Sequence, residues 1–275
     1  MGSAGPGGHR RGRCPCGCLG RHAVRRTSSD KRSRSQRVVH SVRSRWDRTM
    51  EQGDAERPGA EQWLPERHTL SALRSAAADC RGCELWRDAR HIVFSQGKAS
   101  AAMMLVGEQP GDREDPEGEP FVGPAGELLN RALVEAHIDR GRVYLTNAVK
   151  HFRHHASGKR RIHDKPAVVH IEACHPWLEA ELQVVDPAVV VCLGATAARA
   201  VLGRPLSIGR SRGQRFDGPP TSPDAEVFVT THPSAVLRLR GKDGFEEAFD
   251  SFVQDLQVAA QASAGASAAH ESRSG

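Results

Sequence analysis

The chain is expected to fold as an α/β protein, a three-layer α/β/α sandwich with a central four-stranded parallel sheet. Two observations carry this expectation. Four short apolar runs recur, "AAMMLV" (101–106), "RVYLTN" (142–147), "AVVVCLG" (188–194) and "EVFVTT" (226–231), each bounded by turn-forming residues. The first three are each followed by a stretch with helical periodicity. Strands that alternate with helices pair in parallel, because each crossover returns the chain to the same end of the sheet, and the helices then cover both faces.

Taken in order, residues 1–65 are rich in Arg, Ser, Gly and Pro and lack sustained apolar periodicity. They bury too little to offset chain entropy and are expected to be a disordered basic tail. Met50 is an alternative start, which would leave residues 1–49 untranslated. From Leu70, "TLSALRSAAADC" predicts a helix leading into Cys80-Arg-Gly-Cys83. "GPAGELLNRALVEAHI" follows the first run and sets Leu128, Leu129, Ala132, Leu133 and Ala136 at helical spacing, with Pro124 suited to a first turn. "VVHIEACHPWLEAELQVV" and "ATAARAVLG" are the next two helices, and a last one spans roughly 244–260. Between the second run and its helix, "SGKRRIHDKP" (157–166) predicts a basic loop. The folded domain is placed at 66–262, about 200 residues, with 263–275 as a disordered C-terminal tail.

Charge is unevenly spread. The formal net charge is +6, yet residues 1–50 alone hold 13 Lys+Arg against 2 Asp+Glu, and the remainder holds 26 against 31. The folded part is therefore acidic overall, and nucleic-acid binding by it must rest on local clusters. No apolar run is long enough to span a membrane and the N-terminus lacks a signal-peptide core, so a soluble, cytoplasmic monomer with no membrane partner is expected. The seven cysteines, an odd number, point to metal or redox chemistry before disulfides in such a compartment. The "CPCGC" of the tail (14–18) has no fourth partner in view.

In parallel sheets ligands bind beyond the carboxyl ends of the strands. There the first, second and fourth runs lead into "GEQPGD", "TNAVKHF" and "THPSAVLR". "GEQPGD" presents Glu108 on a turn but has neither the dinucleotide glycine spacing nor a P-loop ending. Joined with "EDPEGEPFVGPAGELL", "TNAVK" and "HPSAVLR" in this order, it resembles the uracil-DNA glycosylase superfamily, and within it the iron–sulfur enzymes of family four. "GKRRIH", "GEQPGD" and "TNAVKHF" are most similar to the UdgX branch, whose members bond covalently to uracil-containing DNA. The resemblance covers roughly 80–256.

This resemblance implies a base-flipping enzyme that removes uracil from DNA, with single strands preferred. Phe121 is then the stacking partner, and Asn147 the amide that matches the uracil edge and mismatches cytosine. Gly107 and Gln109 complete the uracil-binding set. His232 is implied to stabilise charge on the uracil O2, and Glu108 to stabilise the cationic sugar or orient a nucleophile. His163 is the implied nucleophile at the sugar C1′; conventional attack by water, leaving an abasic site, is the alternative. A non-catalytic iron–sulfur nucleic-acid binder is a third. Lys159, Arg160, Arg161, Ser234 and Arg238 are implied to contact DNA, with Leu237 as a wedge. Asp112, Glu114 and Asp115 are read as an acidic turn, exposed in the case of the last two.

Cys80, Cys83 and Cys174 match three ligands of the family's 4Fe-4S cluster. The family's remaining cysteine directly follows "TNxVK", where this chain has His151, which is taken as the fourth ligand. Zinc on the same four side chains is the alternative. Cys192, inside the third apolar run, is read as a core residue.

Overall fold

The computed structural model describes residues 57–274. The basic segment 1–50, Met50 and "CPCGC" lie outside the described residues. In chain order the elements are α1 (Leu70–Ala77), β1 (Ser95–Gln96), β2 (Met103–Gly107), α2 (Glu114–Glu117), α3 (Pro124–Glu135), β3 (Val143–Asn147), β4 (His154–Ser157) and β5 (Arg160–His163). They continue as α4 (Val168–Val185), β6 (Val189–Leu193), α5 (Ala195–Leu202), α6 (Ile208–Ser211), β7 (Arg215–Asp217), β8 (Glu226–Thr230), α7 (Pro233–Leu237) and α8 (Phe245–Ser274).

The four expected strands form the parallel centre of the sheet, in the order β3-β2-β6-β8. The sheet has six strands rather than four, because β1 and β7 add short antiparallel edges. Neither edge is apolar enough to register as a run: "SQ" is held by backbone pairing and by polar contacts of Ser95 with Tyr144 and Gln96 with Arg140, and "RFD" by pairing, by Arg215 on Glu226 and by Phe216 against the core. Period-two alternation sorts the central strands between two cores. Met104, Val106, Tyr144, Val190, Cys192 and Val227 pack with α1, α4 and α5. Met103, Leu105, Leu145, Val191 and Phe228 pack with α3, α7 and α8. Cys192 is fully buried, as a core residue of β6. Among the described residues no helix is long and apolar enough to cross a membrane.

Three boundaries differ from expectation. Order begins before residue 66: Ala60 is fully buried, Gly59 N–H donates to the Gly82 carbonyl at 3.1 Å, and Arg57 pairs with Glu84 at 2.5 Å. A Cβ on Gly82 would stand 2.8 Å from the Gly59 carbonyl oxygen, so this close backbone approach needs glycine there. At the other end α8 continues to Ser274, well past 260. Alanine-rich sequence extends a helix without an apolar stripe to announce it.

The third difference bears on the site. "SGKRRIHDKP" is not a plain loop. Its first half closes an antiparallel hairpin, with His154 paired to His163 and Ser157 to Arg160 across a two-residue turn. Gly158, at φ +60°, supplies the left-handed conformation such a turn requires. A lone two-stranded hairpin is marginal in water, and the acidic turn anchors this one. Asp115 is fully buried and Glu114 nearly so, against the expectation of exposure. Asp115 accepts a charge-assisted hydrogen bond from Arg161 and another from Arg90 N–H at 2.9 Å. Arg161 also reaches Asp112 at 2.7 Å and lies 5.4 Å from the Phe152 ring centre. Arg161 is thus consumed inside the protein instead of free for a phosphate.

Arg161→Ala strands the Asp115 carboxylate in a dry site and should cost about 3–5 kcal/mol in urea unfolding. A cost of about 0–1 kcal/mol, as for an exposed pair, would show that the hairpin does not depend on this contact.

Candidate active site

The carboxyl ends of β2, β6 and β8 and the hairpin enclose a cavity of about 690 Å³, lined by Glu108, Phe121, His163, Thr196, His232 and Arg238 among others. Side chains from four separate stretches of sequence meet here. Glu108 leaves the end of β2. One of its carboxylate oxygens accepts a short hydrogen bond from the Thr196 hydroxyl on α5, and the other lies 3.5 Å from His163 Nε2. Thr196 carries no motif signal, and only its place just beyond a strand end marks it. His163, at the end of β5, is about half exposed, at 48%. It tilts 6.0 Å from the Phe152 ring, which His154 stacks at 4.9 Å.

Gln109 is placed differently from expectation. Its amide accepts from Arg153 N–H and donates to the carbonyls of Arg153 and Asp164, all at 3.0–3.1 Å. The side chain therefore staples the base of the hairpin to the loop after β2, and is spoken for before any base arrives. The residues on either side of His163 are held by this staple and by Arg161.

Phe121 is buried and has a left-handed backbone, φ +59°, an uncommon and strained state for a bulky residue. Two features hold it. Gly126 leaves room for the Phe121 backbone, since a Cβ there would stand 1.8 Å from the Phe121 carbonyl oxygen. The buried Glu114 carboxylate accepts from Gly111 N–H at 2.8 Å and from the backbone of Phe121 and Gly123. Burial raises the Glu114 pKa, and these N–H donors oppose the rise.

Asn147 does not line the open cavity. It sits behind Phe121, in register with Gly107 on β2, and is 1% exposed. A Cβ on Gly107 would lie 2.2 Å from Asn147 Oδ1 and 2.7 Å from Phe121 Cζ, so only glycine lets the amide and the ring share this space. Asn147 Nδ2 is buried and has no hydrogen-bond partner among the described residues. Such an orphaned donor is uncommon, and it marks a group whose partner arrives from outside.

His232 follows β8 and caps α7. Its Nδ1 accepts from Ser234 N–H at 3.1 Å and lies 2.8 Å from the Ser234 hydroxyl. With Nδ1 occupied as acceptor, Nε2 carries the proton of the neutral ring. Burial, helped by His163 and Arg238, lowers its pKa from 6.5 to about 4. The site thus holds a neutral imidazole N–H donor. Arg238 is exposed and lines the cavity, Lys159 and Arg160 are exposed at the turn of the hairpin, and Leu237 is partly packed against the α3–α8 core.

The four expected metal ligands are all buried. Cys80 Sγ accepts from Trp177 Nε1–H at 3.2 Å, and Cys174 Sγ from Lys150 N–H at 3.3 Å. Cys80, Cys83 and Cys174 all lie in the core that packs α1 and α4, and burial raises the Cys174 pKa, with Cys83 and Cys80 adding to the rise. Burial likewise pushes Cys83 up to about 11. His151 lines a cleft of about 510 Å³ together with Cys80, and burial lowers its pKa to about 4. Among the described residues, no three His, Cys, Asp or Glu side chains converge on one point as ligands of a single ion. Neighbouring buried thiols with N–H···S donors and a neutral imidazole have the chemistry of a cluster donor set, whose ligands each take a different iron.

The sequence pattern described as the uracil DNA glycosylase superfamily matches residues 94–257, most of the sheet and its helices. The chain belongs to that superfamily. It is 33% identical over 180 residues to the type-4 uracil-DNA glycosylase of Pyrobaculum aerophilum, covering 63% of this chain and 88% of the relative. The type-4 uracil-DNA glycosylase of Sulfurisphaera tokodaii is 31% identical over 174 residues (62% and 76%), and that of Thermotoga maritima 34% over 165 residues (60% and 81%). The matched span contains the β2, β3 and β8 ends of this superfamily member, and with them Glu108, Asn147, His163 and His232.

The His232 ring should titrate with a midpoint near 4 in NMR, staying neutral with its proton on Nε2 between pH 5 and 8. A midpoint near the ordinary value, about 6.5, would show that burial does not govern this ring.

Proposed function

We propose that this protein excises uracil from DNA and captures the freed deoxyribose covalently on His163. The observation that carries the reading is His163 Nε2 facing Glu108 at 3.5 Å on the wall of a strand-end cavity. Single-stranded uracil-containing DNA is the favoured partner, since an unpaired base leaves the stack at less cost.

The flipped uracil stacks on Phe121, and the orphaned Asn147 amide reads its edge. Entry requires local movement, because Asn147 is buried beside the Phe121 ring. As the C1′–N1 bond breaks, its electron pair leaves with uracil, and His232 Nε2–H donates to the O2 on which charge gathers. A neutral donor suits this step, since its pKa near 4 leaves no proton to lose or gain near neutral pH. The Glu108 carboxylate faces the cationic sugar. An imidazole lone pair of His163 then forms the new C1′–N bond, and the ring's proton passes to Glu108, the carboxylate beside it. One C–N bond is exchanged for another, uracil departs, and the enzyme turns over once.

Lys159, Arg160, Ser234 and Arg238 are assigned to the DNA backbone, while Arg161 is reassigned to holding the hairpin. Cys80, Cys83, Cys174 and His151 are assigned to a 4Fe-4S cluster. The nearness and hydrogen bonding of the thiols support this assignment. These residues would hold the cluster between α4, the segment before β1 and the turn after β3, where it would supply structure rather than chemistry.

The conventional reading has one observation in its favour. His163 is half exposed and beyond hydrogen-bond distance of Glu108, so a water molecule has room to attack C1′ in its place. Incubation with a uracil-containing single-stranded oligonucleotide, followed by heating in detergent and a denaturing gel, separates the two. A retained, slower band is expected from the native protein and none from His163→Ala. His232→Ala should slow uracil release by about 100–1,000-fold. Alkali-labile abasic product with no retained band would establish the conventional reaction instead.

A further inference from the structure

Behind Asn147 lies a charged assembly that the proposed reaction does not use. Lys150 and Glu181 are fully buried, with Lys150 Nζ 2.5 Å from Glu181 Oε2. The ammonium has two more acceptors, Thr146 Oγ1 at 2.5 Å and the backbone carbonyl of Asn147 at 3.0 Å. Its fourth neighbour is the face of Phe94, whose ring centre lies 5.1 Å away. Glu181 is held in turn by the hydroxyls of Tyr144 and Thr146, each 2.9 Å from its Oε1.

Burying two charges is expensive, and their attraction repays the cost only in part. An apolar pair of the same volume would serve the core as well, so the assembly calls for another explanation. What it grips is the peptide that carries the orphaned amide. Asn147 is the last residue of β3, and beyond it Ala148 N–H and Val149 N–H donate to the carbonyls of Gly107 and Glu108 at 2.9 and 3.0 Å. The Asn147 carbonyl accepts from Lys150 Nζ, which anchors this peptide from the side opposite Gly107. Lys150 also donates its backbone N–H to Cys174 on α4, the helix that carries Glu181. One lysine therefore ties the end of β3 to α4 twice.

We propose that Lys150, braced by Glu181, is a positioning residue for base selection, fixing the Asn147 peptide and so the direction in which its amide meets the base. The proposal rests on the reading of Asn147 as the group that recognises uracil.

The test is a mutant cycle on the full-length protein, read as inhibition of uracil excision by free uracil. Lys150→Met with Glu181→Gln removes both charges and leaves none stranded. Asn147→Ala removes the amide, and the third form combines all three changes. Binding to DNA with an abasic analogue, which has no base to select, serves as the control. Asn147→Ala should weaken inhibition by uracil about tenfold or more, and the Lys150/Glu181 pair about tenfold, with abasic DNA bound as before. In the Asn147→Ala background the pair should cause no further loss. Lys150→Arg, which keeps the pair charged and only moves the donor, measured alongside, should show the same pattern in weaker form, so the test does not depend on the charge-free variant folding. Native uracil inhibition in the charge-free variants, losses that multiply with Asn147→Ala, or an equal loss of abasic-DNA binding would overturn the proposal. Native inhibition in Asn147→Ala itself would overturn the reading of Asn147, and this proposal with it.

Discussion

The site depends on one buried carboxylate. Asp115 lies in α2, in a stretch that carries four acidic residues between 112 and 117, yet it has no exposed surface and joins three parts of the chain. It follows β2 on the short helix α2, accepts from Arg161 of the hairpin, and accepts from the backbone at Arg90, a few residues beyond Cys83. The hairpin has no place in the main sheet. Without that charge its strands would have little but their own hydrogen bonds to keep them against the cavity. The distance between His163 and Glu108 follows from this tie and from the Gln109 staple beside it. Two side chains that belong to no catalytic step thus set the geometry in which the step is possible.

The two imidazoles of the cavity show how surroundings divide labour. His232 is partly buried in the cavity wall, with its Nδ1 committed to Ser234, and desolvation holds it neutral as a donor. His163 stands at the solvent edge, about half exposed, with its Nε2 3.5 Å from Glu108. Behind them, Gly107 and Gly126 matter by what they lack. Each leaves room for Phe121, and Gly107 also for Asn147. The Phe121 ring and the Asn147 amide share one space beside Gly107.

Much of the frame is legible in the sequence because it is built from periodicity. The four parallel strands are short, nearly continuous apolar runs, as strands buried on both faces must be, and helices α3 and α5 repeat apolar residues at helical spacing. The hairpin is not legible, since "HHAS" and "RRIH" have no apolar face to bury. Its order comes from Arg161 and Asp115, 46 positions apart. Asp115 and Glu114 read as solvated for the same reason, as their partners are an arginine and N–H groups supplied by distant or folded backbone. At the site, motif residues such as Glu108, Asn147 and His232 can be named from strand ends. Thr196, Lys150 and Glu181 cannot, because each acquires meaning only from a neighbour on another element. Gln109 and Arg161 stand out in the sequence as site residues, but their partners are the protein itself.

The central claim is that this arrangement makes His163 the atom-level end point of the reaction. Digestion of the protein–DNA product with nuclease and trypsin, followed by tandem mass spectrometry, tests it most directly. A deoxyribose-derived mass on the His163 imidazole, and on no other side chain, is the predicted result. A modification on any other residue, or free uracil formed in quantity with unmodified His163, would contradict it.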